Sequence, residues 1–202
     1  MRESSSFYQP RLGFVIALVL LSVGIRLVPY VAADPTSLSY LWGVTPLFAI
    51  CLFGAAYFRE QRYAYLVPLA SYFVSDLLIG VVSGHLEWAF YDNQLFVYFA
   101  VALNVVIGFY LRSHRSWPAI FGAGIVGGLA FFLISNFGVW VTGDRAIHPA
   151  TLDGLLNCYI LALPFYRNLT LSTLVFSAVL FSPLGVKTLA ANDERELAHE
   201  RA

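Results

Sequence analysis

The sequence predicts an all-α, polytopic membrane protein. It would have six transmembrane helices, both termini in the cytoplasm, and a short extra helix in the last outer loop. Three observations carry this. Apolar residues make up 59% of the 202, while charged residues make up 12%, about half the level of a soluble domain. Six apolar runs, 12–30, 41–58, 64–82, 95–111, 119–141 and 169–186, approach the roughly 20 residues that a bilayer-spanning helix needs. Basic residues sort by side: nine of the twelve fall in the lead, the inner turns and the tail, and only Arg26, Arg145 and Arg167 lie in or toward the other face. Cytoplasmic segments hold the excess of Lys and Arg, which sets the orientation.

The first run, 12–30, begins after a polar lead containing Arg2 and Arg11. A basic start and the Ala32-Ala33 pair also suit a signal peptide, but the run is long and Arg26 and Pro29 follow its core, so a retained helix is expected. Asp34-Pro35-Thr36-Ser37 marks an outer turn before the second run, 41–58. Arg59-Glu60-Gln61-Arg62 makes a tight inner turn into the third, 64–82. Residues 83–94, with His85, Glu87 and Asp92, form an outer loop before the fourth, 95–111. Arg112-Ser113-His114-Arg115 turns the chain into the fifth, 119–141. The last outer segment, 142–168, is long. Within it Leu152 to Leu163 is apolar but too short to span; Thr151 would cap it and Pro164 stop it, giving a short helix on or dipping into the outer surface. A seventh span would put Lys187, Arg195 and Arg201 outside, against the charge rule. The sixth span, 169–186, leads to a charged tail, 187–202, and the whole chain is read as a single membrane domain.

Polar groups within the runs cluster at one depth. Arg26, Thr45, Asp76 and, one turn apart on the fifth run, Asn136 and Trp140 fall in the outer parts of four helices, with Tyr72 one turn below Asp76; Asn104, near the middle of the fourth run, is the exception. A charge at the centre of a membrane helix costs about 2.5–3.5 kcal/mol on insertion scales, so such groups are expected to face protein or water. Arg26 and Asp76 could pair, and Arg26 could also snorkel. The convergence suggests a polar cavity open to the outside, with Trp42 and Trp140 as walls and residues 150–163 as a lid. Trp88 and Trp117 fit an aromatic belt. Gly124 and Gly128 form a G-x-x-x-G pair, which permits close helix approach within the chain or against a partner subunit.

Several classes are disfavoured. Net charge is zero, which gives no reason to expect nucleic-acid binding. There is no phosphate-binding glycine loop, no H-E-x-x-H, and no Ser–His or Ser–Lys pairing at matching depth, so neither a catalytic nor a metal site is expected and no cofactor is implied. Cys51 and Cys158 match no zinc or redox spacing and read as small buried apolar residues.

Arg26-Leu27-Val28-Pro29, Thr45-Pro46, Leu52-Phe53-Gly54-Ala55-Ala56-Tyr57-Phe58, Ser75-Asp76-Leu77-Leu78-Ile79-Gly80, Ser135-Asn136-Phe137-Gly138-Val139-Trp140 and Ala162-Leu163-Pro164-Phe165-Tyr166-Arg167-Asn168 occur in that order. Over residues 24–182 this set resembles a family of uncharacterised bacterial integral membrane proteins. Members typically carry Asn-Phe-Thr-Pro where this chain has Gly43-Val44-Thr45-Pro46. In size, topology and depth of its polar groups the chain is more loosely similar to the S components of energy-coupling-factor transporters. That similarity implies solute capture in an outward pocket, with an ATPase and a membrane coupling subunit as partners. The Ala-x-x-x-Ala pair often found in helix one of that group is absent from 12–30.

The expectation is therefore a protein of the bacterial inner membrane that binds a small solute for uptake. Arg26, Trp42, Thr45, Asp76, Asn136 and Trp140 would contact the solute. The alternative is a non-catalytic assembly subunit that docks through the glycine-rich fifth helix.

Overall fold

A computed structural model of the chain describes residues 7–31 and 41–190. The outer turn at 34–37, the Ala32-Ala33 pair and the tail beyond 190 lie outside the described residues. The architecture is helical: α1 (Leu12–Val31), α2 (Leu47–Tyr57), α3 (Gln61–Ser83), α4 (Gln94–Phe109), α5 (Trp117–Thr142), α6 (Leu152–Leu180) and α7 (Pro183–Ala190). Short 3-10 turns follow α3 at Leu86–Trp88 and extend α4 at Tyr110–Arg112.

Among the described residues, four helices are long and apolar enough to cross a membrane: α1, α3, α4 with its extension to Arg112, and α5. Joined to α7 across a 59° bend, α6 makes a fifth candidate. Large apolar side chains on the outer faces, such as Leu20, Leu95 and Val175, are exposed. A soluble protein rarely shows so much contiguous apolar surface, and contact with a lipid bilayer accounts for it.

The second predicted span needs correction. Instead of a helix over 41–58, α2 has 11 residues, about 17 Å at 1.5 Å per residue and well short of a roughly 30 Å hydrocarbon core. Every residue of α2 is buried, and it packs against α3, α4, α5 and α6. A helix apolar on all sides can be wrapped by protein as well as by lipid, and here protein does the wrapping. The fit is close: a Cβ on Gly108 of α4 would lie 2.7 Å from the Ala55 Cβ.

The last outer loop is the second correction. The predicted short helix at 152–163 and the span at 169–186 form one continuous α6 of 29 residues, with Pro164 inside it. Thr151 does cap the start, its side chain accepting from the Gly154 N–H at 3.1 Å. A proline in a helix interior normally costs one hydrogen bond and about 3 kcal/mol. Here α5 grips α6 on both sides of the proline: Phe132 packs on Tyr159 and Tyr166 at 5.4 and 5.0 Å, and the Tyr159 hydroxyl donates to the Leu133 carbonyl.

One end of the bundle gathers the basic segments. The Tyr8 N–H donates to the Tyr57 carbonyl, the Arg59 N–H to the Tyr8 carbonyl, both at 2.8 Å, and Gln9 donates to Glu60. Arg112 donates to the Ala55 and Phe58 carbonyls at 2.9 Å, and Arg115 to the Ala56 carbonyl at 2.7 Å. These are the carbonyls that the C-terminal turn of α2 leaves without helical donors, at the negative end of its dipole. Phe181 packs on Phe53 and Tyr57, so α6 ends here as well.

Candidate functional site: a cavity above the buried half-helix

Because α2 starts deep in the bundle, the chain before it descends as irregular backbone. Unpaired backbone is tolerated at membrane depth only where protein buries it or a cavity hydrates it. Residues 41–46 are tied to α6. The Asn168 side chain donates to the Trp42 carbonyl at 2.9 Å, the Trp42 ring stacks on Phe165 at 6.2 Å, and the Thr45 N–H donates to Ser172 Oγ at 3.3 Å. Gly43 holds a φ of +86°, and a Cβ there would lie 2.9 Å from the Phe165 carbonyl oxygen. Glycine is the residue that combines positive φ with this close approach.

Above this segment lies a cavity of about 260 Å³. Arg26 and Tyr30 of α1, Trp42 and Thr45 before α2, Tyr72 of α3, Asn136 of α5, and Phe165 and Tyr166 of α6 contribute to its lining. Four of the six residues singled out in the sequence, Arg26, Trp42, Thr45 and Asn136, therefore line one chamber. Of the other two, Asp76 sits behind Arg26, outside the lining. Trp140 is outside the lining too, its indole N–H donating to the Pro149 carbonyl at 2.9 Å. The lid expected at 150–163 contributes only Ala162, because those residues extend α6 and do not form a separate flap.

The polar core of the site is an ion pair. Arg26 Nη2 meets Asp76 Oδ1 at 2.8 Å, with the side chains 15% and 4% exposed. Arg26 Nη1 donates to the Tyr72 carbonyl at 3.3 Å and to Ser75 Oγ, and the guanidinium lies 3.8 Å from the Tyr72 ring centroid. The Tyr91 hydroxyl donates to Asp76 Oδ2 at 3.3 Å. Burial, with Tyr72 and Asp76 nearby, pushes the Tyr91 hydroxyl above the usual phenol range, so it stays a neutral donor.

Other polar groups are partly spent. Asn136 Nδ2 donates to the Phe132 carbonyl at 2.8 Å, leaving its Oδ1 as an acceptor. Thr45 Oγ1 accepts from the Leu47 N–H, and its hydroxyl can still donate. Asn104 is not part of the site. It is 1% exposed and bridges α4 to α5, donating to the Ala100 and Gly127 carbonyls. Among the described residues no group of three or more His, Cys, Asp and Glu side chains is placed to hold a metal ion.

Sequence reasoning missed Tyr30, Tyr166 and Ser75 as parts of this site. High aromatic content conceals which rings turn inward. The useful signal was the Ala162–Asn168 motif, which carries Phe165, Tyr166 and Asn168 together.

With this geometry in view, a family model matches residues 7–194, nearly the whole chain, and its description is a family of unknown function, DUF6580. The chain belongs to the DUF6580 family. No curated protein matches it, and no solved structure does. The resemblance to an uncharacterised membrane family is thus made specific by DUF6580, while the likeness to S components gains nothing from these comparisons. The match to DUF6580 takes in every residue that lines the chamber.

Proposed function

We propose that this DUF6580 protein captures a small solute in the chamber above α2, as a first step in uptake across a bacterial inner membrane. One observation carries the reading. Residues from α1, the 41–46 segment, α3, α5 and α6 converge on a single cavity at the end opposite the basic turns. Cavities with aromatic walls and a few placed polar groups are the usual form of small-molecule sites. By the positive-inside rule the basic end is cytoplasmic, so the chamber faces outward. Uptake would need energy from elsewhere, because the chain carries no nucleotide-binding loop; an ATPase with a membrane coupling subunit would supply it.

The glycines of α5 bear on the rival docking role. Gly124 lies against Thr173 and Leu174, Gly127 against Asn104, and Gly128 against Thr170 and Tyr166. Their close approaches serve helix packing within the chain.

The test is thermal unfolding of the purified full chain in nanodiscs against a metabolite panel. The reading expects at least one compound to raise the Tm, and Asn136→Leu and Trp42→Ala to abolish that rise. If no compound stabilises the protein, the reading fails.

A further inference from the structure

We infer that the chamber takes an uncharged, planar solute bearing a carbonyl-type acceptor. This rests on the solute-capture reading above and names the ligand class. Charge comes first. Among the described residues, the sole ionised group lining the cavity is Arg26, and its charge is already balanced by Asp76 directly behind it. An anion would place two negative groups around one guanidinium. The N-terminus of α2, worth about half a charge, offsets only part of that. A cation would meet Arg26 with no carboxylate among the described residues of the lining to receive it. Either ion would also lose its hydration in a chamber of no net charge.

Hydrogen-bonding capacity comes second. Arg26 has five N–H bonds, and its interactions among the described residues use Nη1 and one N–H of Nη2. The rest can donate to a carbonyl oxygen. Asn136 Oδ1 and the Thr45 hydroxyl supply an acceptor and a donor, a complement to an amide edge.

Shape comes third. Trp42 and Phe165 form one stacked wall at an interplanar angle of 16°, and Phe132 and Tyr166 form another, tilted one. A volume of about 260 Å³ equals roughly nine waters at about 30 Å³ each, room for one ring with a short substituent. Flat faces lined by rings favour an aromatic occupant over a saturated one.

Four probes separate these terms: benzamide, benzoate, benzylamine and cyclohexanecarboxamide. Each is titrated by calorimetry and tryptophan fluorescence into the full chain in nanodiscs. Benzamide is expected to bind at least tenfold more tightly than the other three, and Asn136→Leu is expected to weaken it at least tenfold. Asp76→Asn removes the counter-charge and is expected to move the preference toward benzoate by at least tenfold. Tightest binding by benzoate or benzylamine, lost in Asn136→Leu, overturns the assignment of charge and leaves solute capture standing. Equal binding of cyclohexanecarboxamide overturns the planar requirement in the same way. Binding by none of the four overturns the ligand class, and the metabolite panel then decides separately whether the chamber binds any solute. The four wild-type titrations stand even if the Asp76 variant does not fold.

Discussion

Arg26 and Asp76, fifty residues apart in the chain, close a 2.8 Å ion pair that joins α1 to α3 beside the chamber. Tyr72, Ser75 and Tyr91 occupy further positions around the two groups. Removing one partner of a buried pair leaves an uncompensated charge, at a cost of about 3–5 kcal/mol. Asp76→Ala should therefore destabilise the protein by about that much in thermal or denaturant unfolding. The double variant Arg26→Met/Asp76→Leu should recover most of the loss, because apolar replacements of a buried pair are often neutral. Equal instability of single and double variants would contradict this.

Arg112 and Arg115 satisfy carbonyls at the C-terminus of α2. A cation at a partly buried helix C-terminus is worth up to about 2 kcal/mol. Arg112→Met should lower stability by about 1–2 kcal/mol, with Arg112→Lys intermediate because an ammonium cannot copy the two-carbonyl fork. Unfolding of the three proteins in one detergent would check the order.

Gly108 lets α4 touch α2, and Gly127 leaves room for Asn104 between α4 and α5. With little hydrophobic drive between helices in lipid, such close contacts carry much of the cohesion. Gly108→Leu should cost more than 1–3 kcal/mol, the usual overpacking penalty, because Ala55 and the Leu52 backbone lie in its path. Gly122, with nothing within 4 Å, should accept Leu with a change under about 0.5 kcal/mol.

At the basic end, the hydrogen bond from Gln9, helped by Arg62, holds the Glu60 carboxyl below the usual glutamate range. A depressed folded-state pKa stabilises fully above the unfolded value, and that support is lost as pH falls through the folded one. Hydrogen-exchange protection of the Tyr8 and Arg59 amides should therefore drop as the pH is taken below the ordinary glutamate range. Glu60→Gln should remove that pH dependence.

The long spans were legible because their apolar runs end at basic turns or loop residues: α1, α3, α4 and α5 fall within about three residues of the predicted limits. The 41–58 run misled because Leu41, Trp42 and Val44 are as apolar as the helix they precede, and hydropathy does not distinguish lipid from protein as the surroundings. Gly43 and Pro46 were the available signs of a break. Pro164 misled in the opposite direction, because tertiary contacts on both sides outweighed its local preference. At the site, depth alone brought Arg26, Thr45 and Asn136 to one chamber. Depth could not show that Trp140 turns to the Pro149 loop or that Asn104 clamps two helices.

The most direct measurement of the central claim is thiol labelling in intact cells with a small, membrane-impermeant methanethiosulfonate. The wild-type chain sets the blank, since Cys51 and Cys158 are buried. If the chamber opens away from the basic end, Asn136→Cys will react from outside, while Asn104→Cys will stay inert and Ser113→Cys will react only after permeabilisation. An inert Asn136→Cys, or a Ser113→Cys labelled in sealed cells, would contradict the account.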